Sequence, residues 1–258
     1  MQTFLNRYFF PPHVTPQNRV FSPEHFILSG LIILAIIFII RLQTKRNDSA
    51  FSQRLLYGLG ATMLCLEIFR VSWLTTFYGW DLRNLRFDWC NQVCMVLPWI
   101  ILFKWKKAYP FIDVLSIIGG SMVLLYPLWV FYDYAGIHIM AVQSMLSHGL
   151  MVLIPLTMPF TLENDVEISK SWKPLAGLSV MLTVAFAMSR KLDVNYLLMK
   201  GANGIPILQR IPAPWHWMVI LPIFIGGILL VWRLLQWYNG VIAKKVGVRN
   251  ENIGYLQQ

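Results

Sequence analysis

Seven apolar runs, separated by shorter polar intervals, organise the chain. They cover about residues 26–42, 54–77, 87–104, 110–130, 138–160, 172–189 and 214–238, each near the roughly 17–25 residues a helix needs to cross a bilayer. This pattern predicts an all-α polytopic membrane protein with about seven transmembrane helices in one bundle. Residues 26–238 form the membrane domain. Residues 1–25, aromatic and rich in proline, predict an interfacial segment, and residues 239–258 a basic tail. No basic stretch leads into an apolar core near the start, which is unlike a cleaved signal peptide.

The polar positions inside the runs carry the information. The third run opens Phe87-Asp88-Trp89-Cys90-Asn91-Gln92-Val93-Cys94, with Cys90 and Cys94 on one helical face. Unpartnered polar groups cost several kcal/mol in hydrocarbon, so such residues face protein or a cavity. Glu67 and Arg70, at i, i+3 in the second run, are spaced to pair. One of them is expected to point at the cavity while the other pairs with it. The fifth run holds Gln143, Ser147 and His148, and Gly119-Gly120 in the fourth allows a neighbouring helix close. The long connection 190–213 contains Asn195-Tyr196 and leads into Pro214-Trp215-His216-Trp217. Trp215 and Trp217 are expected at the membrane interface, with the connection closing the cavity as a lid and Asn195 or Tyr196 reaching toward His148.

Composition agrees with a membrane class: 57% of the 258 residues are hydrophobic and 13% charged, against about 25% charged in soluble domains. The net charge of +10 lies mostly between apolar runs, where it orients the chain and meets lipid headgroups rather than nucleic acid. Arg7, Arg19, Arg83, Arg86, Arg190, Lys191, Lys200 and Arg210 fall on one side. The other side has Arg41, Lys45, Arg46, Arg54, Lys104, Lys106, Lys107, Lys170, Lys173, Lys244, Lys245 and Arg249. The bias predicts a cell-membrane protein with its N-terminus outside and its C-terminus cytoplasmic. Cys90 then lies about 5 Å deep and His148 about 15 Å, both in the outer half.

A thiol and an imidazole are the minimum for nucleophilic acyl chemistry, with Cys90 as nucleophile, His148 as base, and an acyl-cysteine between them. Asn91 or Gln92 supplies amide donors to the oxyanion, while Glu67, Arg70, Gln143 and Ser147 line the cavity. Cys90 and His148 are expected within about 3–5 Å. No C-x2-C or H-x3-H spacing supports a metal, and no nucleotide, haem or flavin signature is present, so no cofactor is expected.

The order of these pieces resembles the YwaF-like integral membrane family of bacteria, related to the eukaryotic transmembrane protein 164. The matching segments are Leu85-Arg86-Phe87-Asp88-Trp89-Cys90-Asn91, Trp129 after the Gly-Gly run, Ser147-His148-Gly149-Leu150, Trp172-Lys173, Asn195-Tyr196-Leu197 and Pro214-Trp215-His216-Trp217. Together they cover about residues 50–240. The resemblance implies a seven-span fold with Cys90 and His148 as the matching pair. It also implies transfer of a fatty acyl chain between membrane lipids. The chain departs from the bacterial pattern at Arg86 and Asp88, where Pro and His are usual.

Three functional readings follow: a lipid acyltransferase; a lipid acyl hydrolase using the same pair; or a transporter or small-solute channel lined by Glu67, Arg70, Gln143 and His148. Against the last, no inverted repeat is visible. Polar residues that merely hold helices together are the remaining alternative.

Overall fold

A computed structural model describes residues 5, 8–11, 21–126, 134, 137–161, 170–201, 210–212 and 215–246. Among them are seven α-helices: α1 Pro23–Arg46, α2 Ser49–Tyr78, α3 Trp89–Leu102, α4 Asp113–Leu125, α5 Ile139–Thr157, α6 Trp172–Leu192 and α7 Trp217–Val246. No strand occurs among the described residues. Each apolar run therefore becomes a helix. The acidic loop after α5, the segment around Trp129 and the tail after 246 lie outside the described residues.

The helix ends follow from local chemistry. Ser22 caps α1 by accepting from the His25 N–H, with Pro23 in the first turn, where its missing N–H costs nothing. Asn47 closes α1 in the left-handed conformation, and the Asp48 carboxylate caps α2 through the Phe51 N–H at 3.1 Å. Two residues thus separate the end of α1 from the start of α2.

Five helices, α1, α2, α5, α6 and α7, are long and apolar enough to cross a membrane. Helices α3 and α4, of 14 and 13 residues, reach only about 20 Å, short of a hydrocarbon core of about 30 Å. The expected spans 87–104 and 110–130 are thus shortened at their ends. After α3, Lys104 has φ 57°, which no helix accommodates. After α4, Tyr126 is extended (φ −143°, ψ 85°), as a residue preceding proline prefers.

Helix α5 is the axis of the bundle. Of its apolar window 61% is buried, against 11% for α1, whose Phe26, Leu31, Leu34 and Phe38 point outward. The main core joins Trp89, Val93 and Leu97 of α3, Val114 and Leu115 of α4, Met151 and Ile154 of α5, and Ile228 of α7. Helices α4 and α5 touch closest at Gly119-Gly120. A Cβ on Gly120 would lie 2.5 Å from the His148 carbonyl oxygen, and one on Gly119 would lie 2.8 Å from both Trp89 and Met151. Ser116 donates to the Met151 carbonyl at 2.6 Å on the same contact line.

Gly120→Val is expected to destabilise the protein by about 1–3 kcal/mol, since the obstructing atom is backbone and cannot rotate away. Gly30→Val, where nothing lies within 4 Å, is the control. Thermal unfolding in detergent measures both, and equal shifts would contradict the packing described.

Candidate functional site

Cys90 stands in the first turn of α3, and His148 lies midway along α5. Cys90 is the second residue of its helix and His148 the tenth. The Cys90 thiol donates to the Gly119 carbonyl at 3.5 Å, and the adjacent Gly120 lies against the His148 carbonyl. Neighbouring residues of α4 thus touch Cys90 and the turn carrying His148. One turn further along α3, the Cys94 sulfur meets the Met151 sulfur at 3.7 Å.

No hydrogen bond joins the two side chains, so the close contact expected between them is not formed. The thiol is directed to Gly119, and His148 Nε2 is buried with no hydrogen-bond partner. At the other ring nitrogen, Nδ1 lies 2.6 Å from the Ser144 carbonyl oxygen and 3.4 Å from its hydroxyl. A carbonyl oxygen only accepts, so Nδ1 carries the proton and Nε2 presents a bare lone pair. Ser144, one turn before His148, is a positioning residue that composition and spacing did not single out. Cys90 itself is half-buried, keeping accessible surface within a packed junction.

Glu67 and Arg70 pair, through Arg70 Nε to Glu67 Oε2 at 3.0 Å and Nη2 to Oε1 at 2.6 Å. The rest of the guanidinium turns to the loop before α3, donating to the Asn84 and Leu85 carbonyls at 2.9 Å each. Both side chains are buried, and the pair works as a clamp on the segment leading into Cys90. Gln143 Nε2 donates to the Leu66 carbonyl and to Ser147 Oγ, both at 3.1 Å, fixing α5 to α2. Gln92 Nε2 donates to the Phe87 and Met181 carbonyls, at 2.7 and 3.1 Å, tying α3 to α6. Asn91 is half-buried beside Cys90.

The start of the connection after α6 folds onto the same end. Asp88 Oδ1 accepts from the Leu197 N–H at 3.4 Å, and the Tyr196 ring meets Phe87 edge-on at 5.6 Å. Tyr196 is buried, and burial pushes its hydroxyl above the ordinary tyrosine range. It lies on the Phe87–Asp88 side. Asn195 is spent on its own turn, donating to the Gly201 carbonyl at 2.8 Å and accepting from the Lys200 N–H at 2.7 Å. The Lys200 ammonium pairs with Asp193 and holds that carboxyl below its ordinary range. His216 Nε2 donates to the Leu198 carbonyl at 2.8 Å, joining the Trp-His-Trp segment to this turn. Trp215 is exposed, whereas Trp217 packs edge-on to Phe224, which packs edge-on to Trp89. Residues 202–209 lie outside the described residues.

Backbone strain gathers here. Arg86, Leu197 and Leu198 have φ of 51°, 48° and 61°, a region bulky residues rarely enter and that costs about 1–3 kcal/mol at each. All three flank Asp88 and Cys90. Among the described residues no three His, Cys, Asp or Glu side chains converge as a metal site.

Arg70→Ala is expected to destabilise by about 3–5 kcal/mol, because Glu67 is left buried and unpaired. Replacing both, as Glu67→Leu with Arg70→Met, should recover most of that loss. Thermal unfolding checks this against Arg190→Ala on an exposed surface; matching effects for Arg70 and Arg190 would contradict the clamp.

Comparison with known proteins adds one match. The sequence fits the model of the TMEM164 family over residues 20–235, most of the chain. Nothing among curated proteins or solved structures matches it.

Proposed function

The chain belongs to the TMEM164 family of membrane proteins, and from that premise we propose that it is a membrane-embedded acyltransferase acting on lipid acyl chains. The observation that supports this most is His148: its Nδ1–H is held by the Ser144 carbonyl, and its Nε2 lone pair is buried and unpartnered beside the junction that contains Cys90. His216 keeps one buried ring nitrogen bare in the same way, so the lone pair supports proton transfer through its placement beside the Cys90 junction.

In the proposed reaction a turn of the Cys90 side chain from Gly119 toward Nε2 passes the thiol proton to His148. The thiolate attacks the carbonyl carbon of a lipid ester and forms a C–S bond. The C–O bond then breaks, and the leaving lipid oxygen takes the proton from His148. A hydroxyl of a second lipid next gives its proton to Nε2 and attacks the thioester. The C–S bond breaks, and the thiol regains the proton. Asn91 is the residue best disposed to donate to the oxyanion, since the Gln92 amide already serves Phe87 and Met181. Glu67, Arg70, Gln143 and Ser147 act by holding the helices and the loop. Tyr196 and Trp217 close the Cys90 end, and Asn195 shapes the turn that carries Tyr196. Hydrolysis follows the same first half with water as the second acceptor. Transport gains no support, because Glu67, Arg70 and Gln143 are engaged in the bonds that hold the bundle together.

The test uses the purified protein with a phospholipid bearing an alkyne-tagged acyl chain. A hydroxylamine-labile tag is expected on Cys90, absent in Cys90→Ala and retained in Cys65→Ala, whose thiol is exposed elsewhere. His148→Gln should slow tagging by about 10²–10⁴-fold. A tag on Cys94, or none on any cysteine, would sink the proposal. Chase with a lysolipid distinguishes transfer from hydrolysis by the product formed.

A further inference from the structure

At the end of α2 remote from Cys90, the chain builds a second feature that the acyl chemistry does not use. A shallow, open groove is lined by Arg46, Phe51, Arg54, Leu55, Gly58, Leu59 and Thr62. Arg54 and Arg70 are separated by 16 positions on one helix, about 24 Å along its axis. The groove is thus most of a membrane thickness away from the Cys90 junction.

Its lining divides by chemistry. Phe51, Leu55 and Leu59 form a half-buried apolar floor, and Gly58 leaves open space beside them. Thr62 turns its hydroxyl inward to the Gly58 carbonyl at 2.8 Å, hiding that polar atom in the helix. Both arginines stand exposed at the rim. The Arg46 guanidinium carbon lies over the Phe51 ring, 4.5 Å from its centre, and Arg54 Nε donates to the Ala50 carbonyl at 3.3 Å. Neither pairs with an acid among the described residues. The nearest in sequence, Asp48, is occupied in capping α2.

Two oriented guanidinium groups above an apolar trough match a phosphate headgroup continued by acyl chains. A soluble anion would have no use for the floor, and a neutral lipid none for the rim. We infer that this groove is a binding site for one anionic phospholipid, held by Arg46 and Arg54 at the headgroup and by Leu55, Gly58 and Leu59 along the chain. The site is separate from the proposed acyl-transfer centre and does not depend on it.

Native mass spectrometry of the full chain, purified in neutral detergent and offered phosphatidylglycerol or phosphatidylcholine, tests this. One phosphatidylglycerol per chain is expected to be retained in preference to phosphatidylcholine. Arg46→Gln with Arg54→Gln should lower retention about thirtyfold, the loss of two lipid-facing cations. Gly58→Leu should lower it comparably by filling the trough, with no change of charge, so the outcome does not hang on how the double variant folds. Arg190→Gln should have no effect. Equal retention of the two lipids, or wild-type retention in Gly58→Leu, would overturn the assignment.

Discussion

The missing side chain at Gly120 sets the distance between α4 and α5, and much else hangs on that distance. Because the α4 backbone lies directly on the turn of His148, the neighbouring Gly119 carbonyl is presented to Cys90 across the same junction. Ser116, one turn back, reaches the Met151 carbonyl, and Met151 in turn meets Cys94. Helices α3, α4 and α5 therefore meet along one line. Two of the three are too short to cross a bilayer alone. Their burial inside the longer helices lets their polar ends exist at membrane depth, where irregular backbone survives only if protein covers it.

Three polar side chains near this junction are fully engaged. Arg70 is shared between Glu67 and two loop carbonyls, Gln143 between Leu66 and Ser147, and Gln92 between Phe87 and Met181. These bonds offset the cost of burying polar atoms and at the same time fix the approach to Cys90. The Nε2 of His148 is bare, as is Nδ1 of His216. Strained residues on both sides of Asp88 are held by the Arg70 clamp, the Asp88–Leu197 bond and the His216–Leu198 bond. Strain concentrated where a reactive pair is proposed fits a preorganised site better than a passive helix junction.

Much of this was legible from residue order. Apolar runs mark all seven helices, because helix formation in lipid is close to obligatory once a run is long enough. Hydropathy does not register φ, so the break at Lys104 and the stop at Tyr126 escaped it, and with them the shortness of α3 and α4. The Glu67–Arg70 pairing follows from i, i+3 spacing, but the attachment of Arg70 to loop carbonyls does not, since any residue supplies a carbonyl. The same holds for Ser144, whose backbone oxygen sets the His148 tautomer. Asn195 was expected to reach inward; its side chain instead closes a local turn, the habit of asparagine in loops.

The proposed chemistry requires Cys90 and His148 to face one junction. Oxidative cross-linking of a chain carrying Cys65→Ala, Cys94→Ala and His148→Cys tests it most directly, since a disulfide forms only between Cα atoms about 4.4–6.8 Å apart, or brought there by small backbone movement. The account predicts a peptide pair linked through positions 90 and 148 in the membrane-embedded protein, absent when Gly120→Val pushes α4 away from α5. Failure to cross-link at 90 and 148, while a cysteine at Val152 on the same helix does link to Cys90, would contradict it.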